Sequence, residues 1–388
     1  MIQRLSVNLL LKSVILTLSA AIVVVLSFSA WNSWQREAAV KRIASVVDVS
    51  SNFFTALHNM RVDRATTFRE LNADRLNNPL PAQLKEVREA EMPALKAGLA
   101  ALETVNFPGK DTAVATLDKA IKKLTALQQE ANAAMAQPKA SRKATLAKEY
   151  FDEVDGLIAF LDKLGSQLTT SVKLEDAYID QLLQIKQLAW VARNNAGDSS
   201  VMISNKLGGQ PLPADAMLKY AAFVAKTEGA WTALEDVASG LTLPAKFRDA
   251  AATAKREFMG SEYTELRLKT LKALIAGEPV TVNVMDWSVM SVSKLATLLK
   301  VADAALETAR DHAAAQRSAA MSSFWVATSL LIIAVLFGAG MMVLVTRRVT
   351  GPLRQIQQAM LKVAEGDFSV VLPGLDRKDE IGDVSNAV

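Results

Sequence analysis

The chain has 388 residues, 51% of them hydrophobic, with only 17 Gly and 11 Pro, which is material for more than one domain and a helical composition. Cysteine is absent, which excludes a disulfide framework and thiolate chemistry and is compatible with an oxidising compartment. The net charge of +4 is spread along the chain, and no Lys/Arg block is interleaved with aromatics, which argues against a nucleic-acid surface.

Residues 1–12 carry Arg4 and Lys12 and read as a cytoplasmic N-terminus. Ser13 to Gln35 is uncharged, and its apolar heart, Val14 to Trp31, predicts a transmembrane helix over 13–31. Arg4 and Lys12 on one flank and Trp31 and Trp34 on the other orient it with its N-terminus inside. A cleaved signal peptide is the rival, because Ser27 to Ala30 is mostly small residues, but the apolar run exceeds a typical signal core.

The next stretch, 32–323, contains an internal repeat. Pro79-Leu80-Pro81-Ala82 recurs as Pro211-Leu212-Pro213-Ala214, and the break at Phe107-Pro108-Gly109 has a counterpart at Leu243-Pro244. Chance recurrence of Pro-bearing turns is the alternative. The repeat divides the stretch into copy 1 (32–170) and copy 2 (171–323), each predicted as a four-helix bundle. Copy 1 has helices over Asn32–Asp74, Ala82–Glu103, Thr112–Ala136 and Ser141–Thr170. Copy 2 has them over Leu174–Lys206, Ala214–Ser239, Ala245–Ala276 and Met285 onward. Residues 32–42 and 311–323 have no counterpart and read as paired stalks. If both copies share one topology, the chain reverses direction between them, which predicts a turn within Leu164–Lys173. Against this, Leu157, Leu161, Leu164, Leu168 and Val172 keep helical spacing through the junction.

Chemistry concentrates on the first helix of each copy. Phe53, Leu57, Met60, Arg64, Phe68 and Leu71 form a stripe with helical spacing, so Arg64 takes a core position. Leu182, Ala189, Arg193 and Ala196 form the same stripe in copy 2, with Arg193 equivalent to Arg64. A guanidinium stays protonated and offers a planar fork of donors, so an inward arginine demands an anion; nitrate, nitrite and small carboxylates fit. The bland alternative is that Arg64 pairs with Glu149, Asp152 or Asp155, or snorkels to solvent. Arg61, one position off the stripe beside Asp63, is a third ligand candidate or a solvated helix-face charge. His58 and His312 are far apart in sequence with no partner at metal spacing, so no metal site is expected, and no cofactor.

Phe324 to Val345 is 22 uncharged residues, enough at about 1.5 Å per residue to cross a hydrocarbon core of about 30 Å. It predicts a second transmembrane helix, with Trp325 at one interface and Arg347-Arg348 marking the cytoplasmic end. Both basic edges then lie inside, and residues 32–323 lie on the far side, the periplasm in a bacterium. Residues 346–388 follow with Pro352 and apolar residues at Leu353, Ile356, Met360 and Val363, one helical stripe. Gly366-Asp367 stops that helix, and Asp379-Glu380-Ile381-Gly382 starts another, with carboxylates near its positive N-terminus.

This tail resembles a HAMP linker, the parallel coiled-coil relay of bacterial transmembrane receptors. The resemblance implies a homodimer and gives Pro352, Asp379, Glu380 and Gly382 a part in signal relay. At Leu57 to Phe68 the chain resembles the nitrate- and nitrite-sensing domain, a duplicated helical module whose acidic-Arg-Gly signature stands here as Asp63-Arg64-Ala65 and, keeping only the arginine, as Ala192-Arg193-Asn194. That resemblance implies that Arg64 and Arg193 bind an anion. The helical bimodular receptor domain, whose members bind organic acids, has a similar size and competes.

The expectation is an all-α protein of the bacterial inner membrane: two transmembrane helices flanking a duplicated helical sensor, then a HAMP linker. It detects a small anion and relays a conformational signal to cytoplasmic signalling proteins through an output domain expected beyond Val388. Histidine kinases and diguanylate cyclases also attach at that point, but the resemblance favours a methyl-accepting chemotaxis transducer. No nucleophile-base pair or phosphate loop suggests an enzyme. A structural membrane protein that binds a protein partner is the reading from another class.

Overall fold

The computed structural model describes residues 6–367 and 369–387, and these contain helices, turns and no strand. The helices are α1 (Val7–Asn72), α2 (Ala82–Leu102), α3 (Lys110–Met135), α4 (Leu146–Ser171), α5 (Ala177–Leu207), α6 (Ala216–Ser239), α7 (Ala245–Glu257), α8 (Ser261–Ala276), α9 (Val284–Val345), α10 (Gly351–Ala364) and α11 (Glu380–Asn386). Two compact units contain them, one of residues 1–38 and 317–388, the other of residues 39–316.

In the first unit the apolar parts of α1 and α9 keep their large side chains outward, with Phe28 67% and Phe337 69% exposed. Side chains this apolar, unburied over lengths that span a bilayer, belong in lipid. A Cβ at Gly338 would lie 2.8 Å from Ser19 Oγ, so the two helices approach through small residues, as membrane helices do. Between α9 and α10 the chain makes a π-helical turn, Thr346–Thr350, and Pro352 stands in the first turn of α10, where a missing N–H is tolerated. Ile356 and Ala359 form the buried face of α10, while Met360, expected on the stripe, is exposed.

The second unit is built from amphipathic helices with stripes at three- and four-residue spacing. α4 is the clearest, burying Leu146, Tyr150, Val154, Leu157, Leu161, Leu164 and Leu168. One hydrophobic cluster runs from Ile43 through Ala313 and takes residues from both expected copies, while a second, around Trp287, is confined to residues 202–287. Phe54 and Trp190, both almost fully buried, meet edge to face at 5.5 Å across the halves. Each such ring contributes roughly 2–3 kcal/mol through burial, and their pairing about 1 kcal/mol more. Packing extends to the pairs Arg42–Glu175 and His312–Asp176, into the residues expected to be stalks.

The chain turns only at the end of the expected stretch Leu164–Lys173, and the continuous helix through Gly165 corrects the turn expected there. α4 runs unbroken through Gly165 to Ser171, as its leucine spacing demands, and the turn falls at Val172–Glu175, where Leu174 has φ 70°. Asp176 then caps α5, its carboxylate accepting from the N–H groups of Tyr178 at 2.9 Å and Ile179 at 3.0 Å. α5 therefore runs parallel to α1: Arg42 meets Glu175, Phe54 meets Trp190 and Arg61 meets Asp198, in ascending order on both helices. The helix expected over Ala245–Ala276 is broken at Phe258–Gly260. A Cβ at Gly260 would lie 2.3 Å from the carbonyl oxygen of Arg256, so only glycine admits this sharp bend.

Candidate functional site

Arg61, Arg64 and Arg193, the three arginines singled out from sequence, line one cavity of about 140 Å³ between α1, α5 and α9. The sequence reading gave each copy its own inward arginine, but the packing of α1 on α5 brings them together. Partners across these helices, such as Arg61 and Asp198, are 137 residues apart, whereas Arg64 and Arg193 are 129 apart. Equivalent positions are thus displaced by about two turns, and all three guanidiniums fall along one wall. Gly197, Ser200, Ser288 and Ser291 complete the cavity from α5 and α9.

The arginines differ in how they are neutralised. Arg64, with its side chain 16% exposed, pairs with Asp155 and lies 4.5 Å over the Phe151 ring. The bland reading of Arg64 therefore holds for one edge of its guanidinium, and Asp155 is the partner among the three carboxylates considered. Arg61 is not a solvated face charge. Its side chain is 17% exposed, lies over Trp190 at 5.4 Å and reaches Asp198 only at 3.8 Å. Arg193 is 6% exposed and makes no ion pair among the described residues, and its Nε has no hydrogen-bond partner. Burial, then the charges of Arg61 and Arg64, push its pKa down to about 9, against the pull of Asp198. Burial likewise raises Asp198 despite the arginines around it.

Three cations thus face two carboxylates, Asp155 and Asp198, both of which are half-exposed. An anion that accepts from a planar fork is the species this wall lacks. Gly197 keeps the space open, because a Cβ there would come within 3.1 Å of Arg193 Nη1. His58 is affected by the same field: burial, then Arg193, push it down to about 4, so it is neutral at pH 7.

The expected stripe of α1 is buried at Phe53, Leu57, Met60 and again at Leu71. Between Met60 and Leu71, Phe68 is 41% exposed, and the inward positions are Asp63, Thr67 and Glu70. Asp63 is fully buried and anchors a polar network that the sequence reading missed. Arg88 donates from Nε to Asp63 at 3.1 Å and from Nη2 to Thr67 at 2.8 Å and Tyr150 at 3.2 Å. Gln128 donates to Asp63 at 3.1 Å and to Glu91 at 2.9 Å, and Tyr150 donates to Asp63. Burial, then Asp63, drive the Glu91 carboxyl well above the usual carboxylate range, against the pull of Arg88. Except for Glu91 Oε2, which has no partner, the members of this cluster bond one another, and it reads as structural. Its signal was available: Gln128 continues the spacing of Leu117, Ile121 and Leu124, and Glu91 sits four residues before Leu95.

In the tail, Asp379 caps α11, accepting from the Gly382 N–H at 3.2 Å, and Glu380 opens the helix. A Cβ at Gly382 would lie 2.2 Å from the carbonyl oxygen of Arg377, which explains the glycine. Pro352 has no N–H for the carbonyl of Arg348 four residues earlier, and Arg377 Nη2 donates to that oxygen at 3.0 Å while also pairing with Asp379. Arg377 therefore connects Pro352 to Asp379, a role that spacing alone does not reveal.

Residues 344–388 match the HAMP domain family. No curated protein and no solved structure matches the chain. Two long apolar helices followed by a HAMP domain make this chain a membrane-embedded, signal-relaying receptor.

Proposed function

We propose that residues 39–316 are the periplasmic sensor of a bacterial inner-membrane receptor, and that the cavity between α1, α5 and α9 binds a small anion. The observation that carries this reading is Arg193, 6% exposed and without an ion pair among the described residues, on the same wall as Arg61 and Arg64. An unpaired buried guanidinium costs several kcal/mol, and a bound anion offsets that cost. The cavity, about 140 Å³, compares with a site of about 150 Å³ that holds benzene, so the ligand has about six non-hydrogen atoms. Nitrate, nitrite and acetate satisfy both limits. The serine hydroxyls of Ser200, Ser288 and Ser291 favour, as a second reading, a small organic acid with a further oxygen.

The protein acts by binding, not catalysis. α9 carries Ser288 and Ser291 at the cavity and the second apolar span within one uninterrupted helix. An anion drawn onto the arginines of α1 and α5 changes their packing against α9, and a homodimer of HAMP segments converts that shift into one of two packings. The output is cytoplasmic, and a chemotaxis transducer is the reading favoured by the resemblance of the tail.

The test is calorimetry of the chain in lipid nanodiscs against nitrate, nitrite, acetate and malate. One of these anions binds, and Arg193→Ala weakens it by about 2 kcal/mol or more, roughly 30-fold in Kd. No heat from any of the four, or an unchanged Kd in Arg193→Ala and Arg64→Ala, returns the exterior to the reading of a partner-binding structural domain.

A further inference from the structure

A second cavity, of about 160 Å³, lies among α6, α7 and α8, and the anion reading above makes no use of it. It exists because the chain bends at Gly260, which folds α8 back and sets Phe258 beside Tyr263, their rings 5.6 Å apart. Arg267 lies against both rings, its guanidinium 4.5 Å from the centre of Phe258 and 4.8 Å from that of Tyr263. It is 4% exposed, lines the cavity and makes no ion pair among the described residues. One hydrogen bond, from Nη2 to Thr264 at 3.2 Å, is its recorded polar contact, and its Nε has no partner. The indole N–H of Trp231 and the hydroxyl of Tyr263, both buried, are also unpartnered.

The interior therefore holds one unbalanced cation and a surplus of donors. Contact with two aromatic rings stabilises a desolvated guanidinium, and it leaves the in-plane N–H groups other than the one on Thr264 available. Those groups point to an acceptor that is planar and anionic. Val224, Trp231, Phe258 and Met259 supply apolar wall, and Thr227, Thr232 and Thr264 add hydroxyls. At the mouth, Glu228 and Lys255 are exposed, and Lys255 is engaged by Glu235 at 2.8 Å. Glu228 then opposes a second negative charge on anything that enters.

We infer that this cavity binds a small monocarboxylate, its carboxylate on Arg267 and its apolar body against Trp231, Phe258 and Met259. The volume sets the size at about six non-hydrogen atoms, by comparison with a benzene-sized cavity of about 150 Å³. This site lies on α6 to α8, with a single arginine, apart from the wall of three arginines on α1 and α5. The receptor thus has two inputs in its sensor, and the second depends only on the half of the repeat that contains α6 to α8.

The experiment is calorimetric titration of the full chain in nanodiscs with butyrate, and with succinate as the dianion of similar size. With the arginine wall disabled by Arg193→Met, butyrate saturates at about one per chain, succinate binds at least 10-fold more weakly, and adding Arg267→Met weakens butyrate at least 10-fold. Adding Thr232→Trp instead, an exposed position at the mouth, blocks butyrate without touching the cation. Binding that persists in Arg193→Met separates this site from the other. Absence of saturable butyrate binding in Arg193→Met overturns the inference, as does undiminished affinity when Thr232→Trp is added. If circular dichroism shows that Arg267→Met has lost its helices, Thr232→Trp decides.

Discussion

Gly197 stands one helical turn after Arg193, and a methyl group at 197 would lie 3.1 Å from Arg193 Nη1, closer than carbon and nitrogen comfortably pack. In an exposed helix, Gly→Ala stabilises by about 1 kcal/mol through backbone entropy. Here Gly197→Ala is expected to displace the guanidinium by a few tenths of an ångström, erase that gain and weaken anion binding by roughly 10-fold, because fork-on-anion geometry tolerates little misplacement. Melting curves and titrations of the same preparation check both halves. A variant that is stabilised and binds as wild type would show that the glycine is not there for Arg193.

Arg193 also predicts a conflict between stability and function. Replacing an unpaired buried charge by an apolar side chain of similar length is neutral or stabilising by about 1–4 kcal/mol. Arg193→Met is thus expected to unfold at higher urea than wild type without anion, while losing the stabilisation that saturating anion confers on wild type. A less stable Arg193→Met would mean that the guanidinium is already satisfied in the free protein.

The pH dependence follows from His58. Its ordinary value near 6.5 is pushed down to about 4, by burial first and by Arg193 second. The unfolded chain therefore takes a proton that the folded chain refuses. Above pH 6.5 His58 has no effect on stability; as pH falls from 6.5 to about 4, stability is lost, on the order of 3 kcal/mol in full. Comparing urea midpoints at pH 7 and pH 4.5, wild type should lose more than His58→Gln by most of that amount. Equal losses would remove His58 from the account.

In the tail, Arg377 Nη2 donates to the Arg348 carbonyl, to which Pro352 cannot donate, and also holds Asp379, the cap of α11. Arg377→Ala is expected to loosen the start of α11, because Asp379 loses the side chain that orients it as the cap. Amide exchange at residues 380–386 should rise several-fold, with little change at residues 110–135. Unchanged exchange would leave Arg377 without a part in the linker.

Much of this molecule is written in local patterns. Uncharged apolar runs of about 20 residues define spans because no soluble core accepts them so exposed, and the Pro352 and Asp379-Glu380-Ile381-Gly382 spacing defines the linker because capping and backbone clearance are local demands. Arg64 and Arg193 were legible as inward for a similar reason: a charge on an apolar stripe is visible in one dimension. The buried Asp63–Arg88 network was not, because its donors come from several helices and each looks like an ordinary surface residue on its own.

What the sequence by itself determined is therefore the all-helical character, the two spans, the linker and the presence of inward arginines. Periodicity identifies which residues of a helix face inward, but not which helix they meet. Only the tertiary structure decided that α1 and α5 pack parallel and about two turns out of the repeat's own register, which gathers Arg61, Arg64 and Arg193 in one cavity. It also decided that the bend at Gly260 sets Arg267 against two adjacent rings. Both arrangements depend on long-range packing of apolar faces, in which side-chain shape selects among registers that the hydrophobic pattern leaves equivalent.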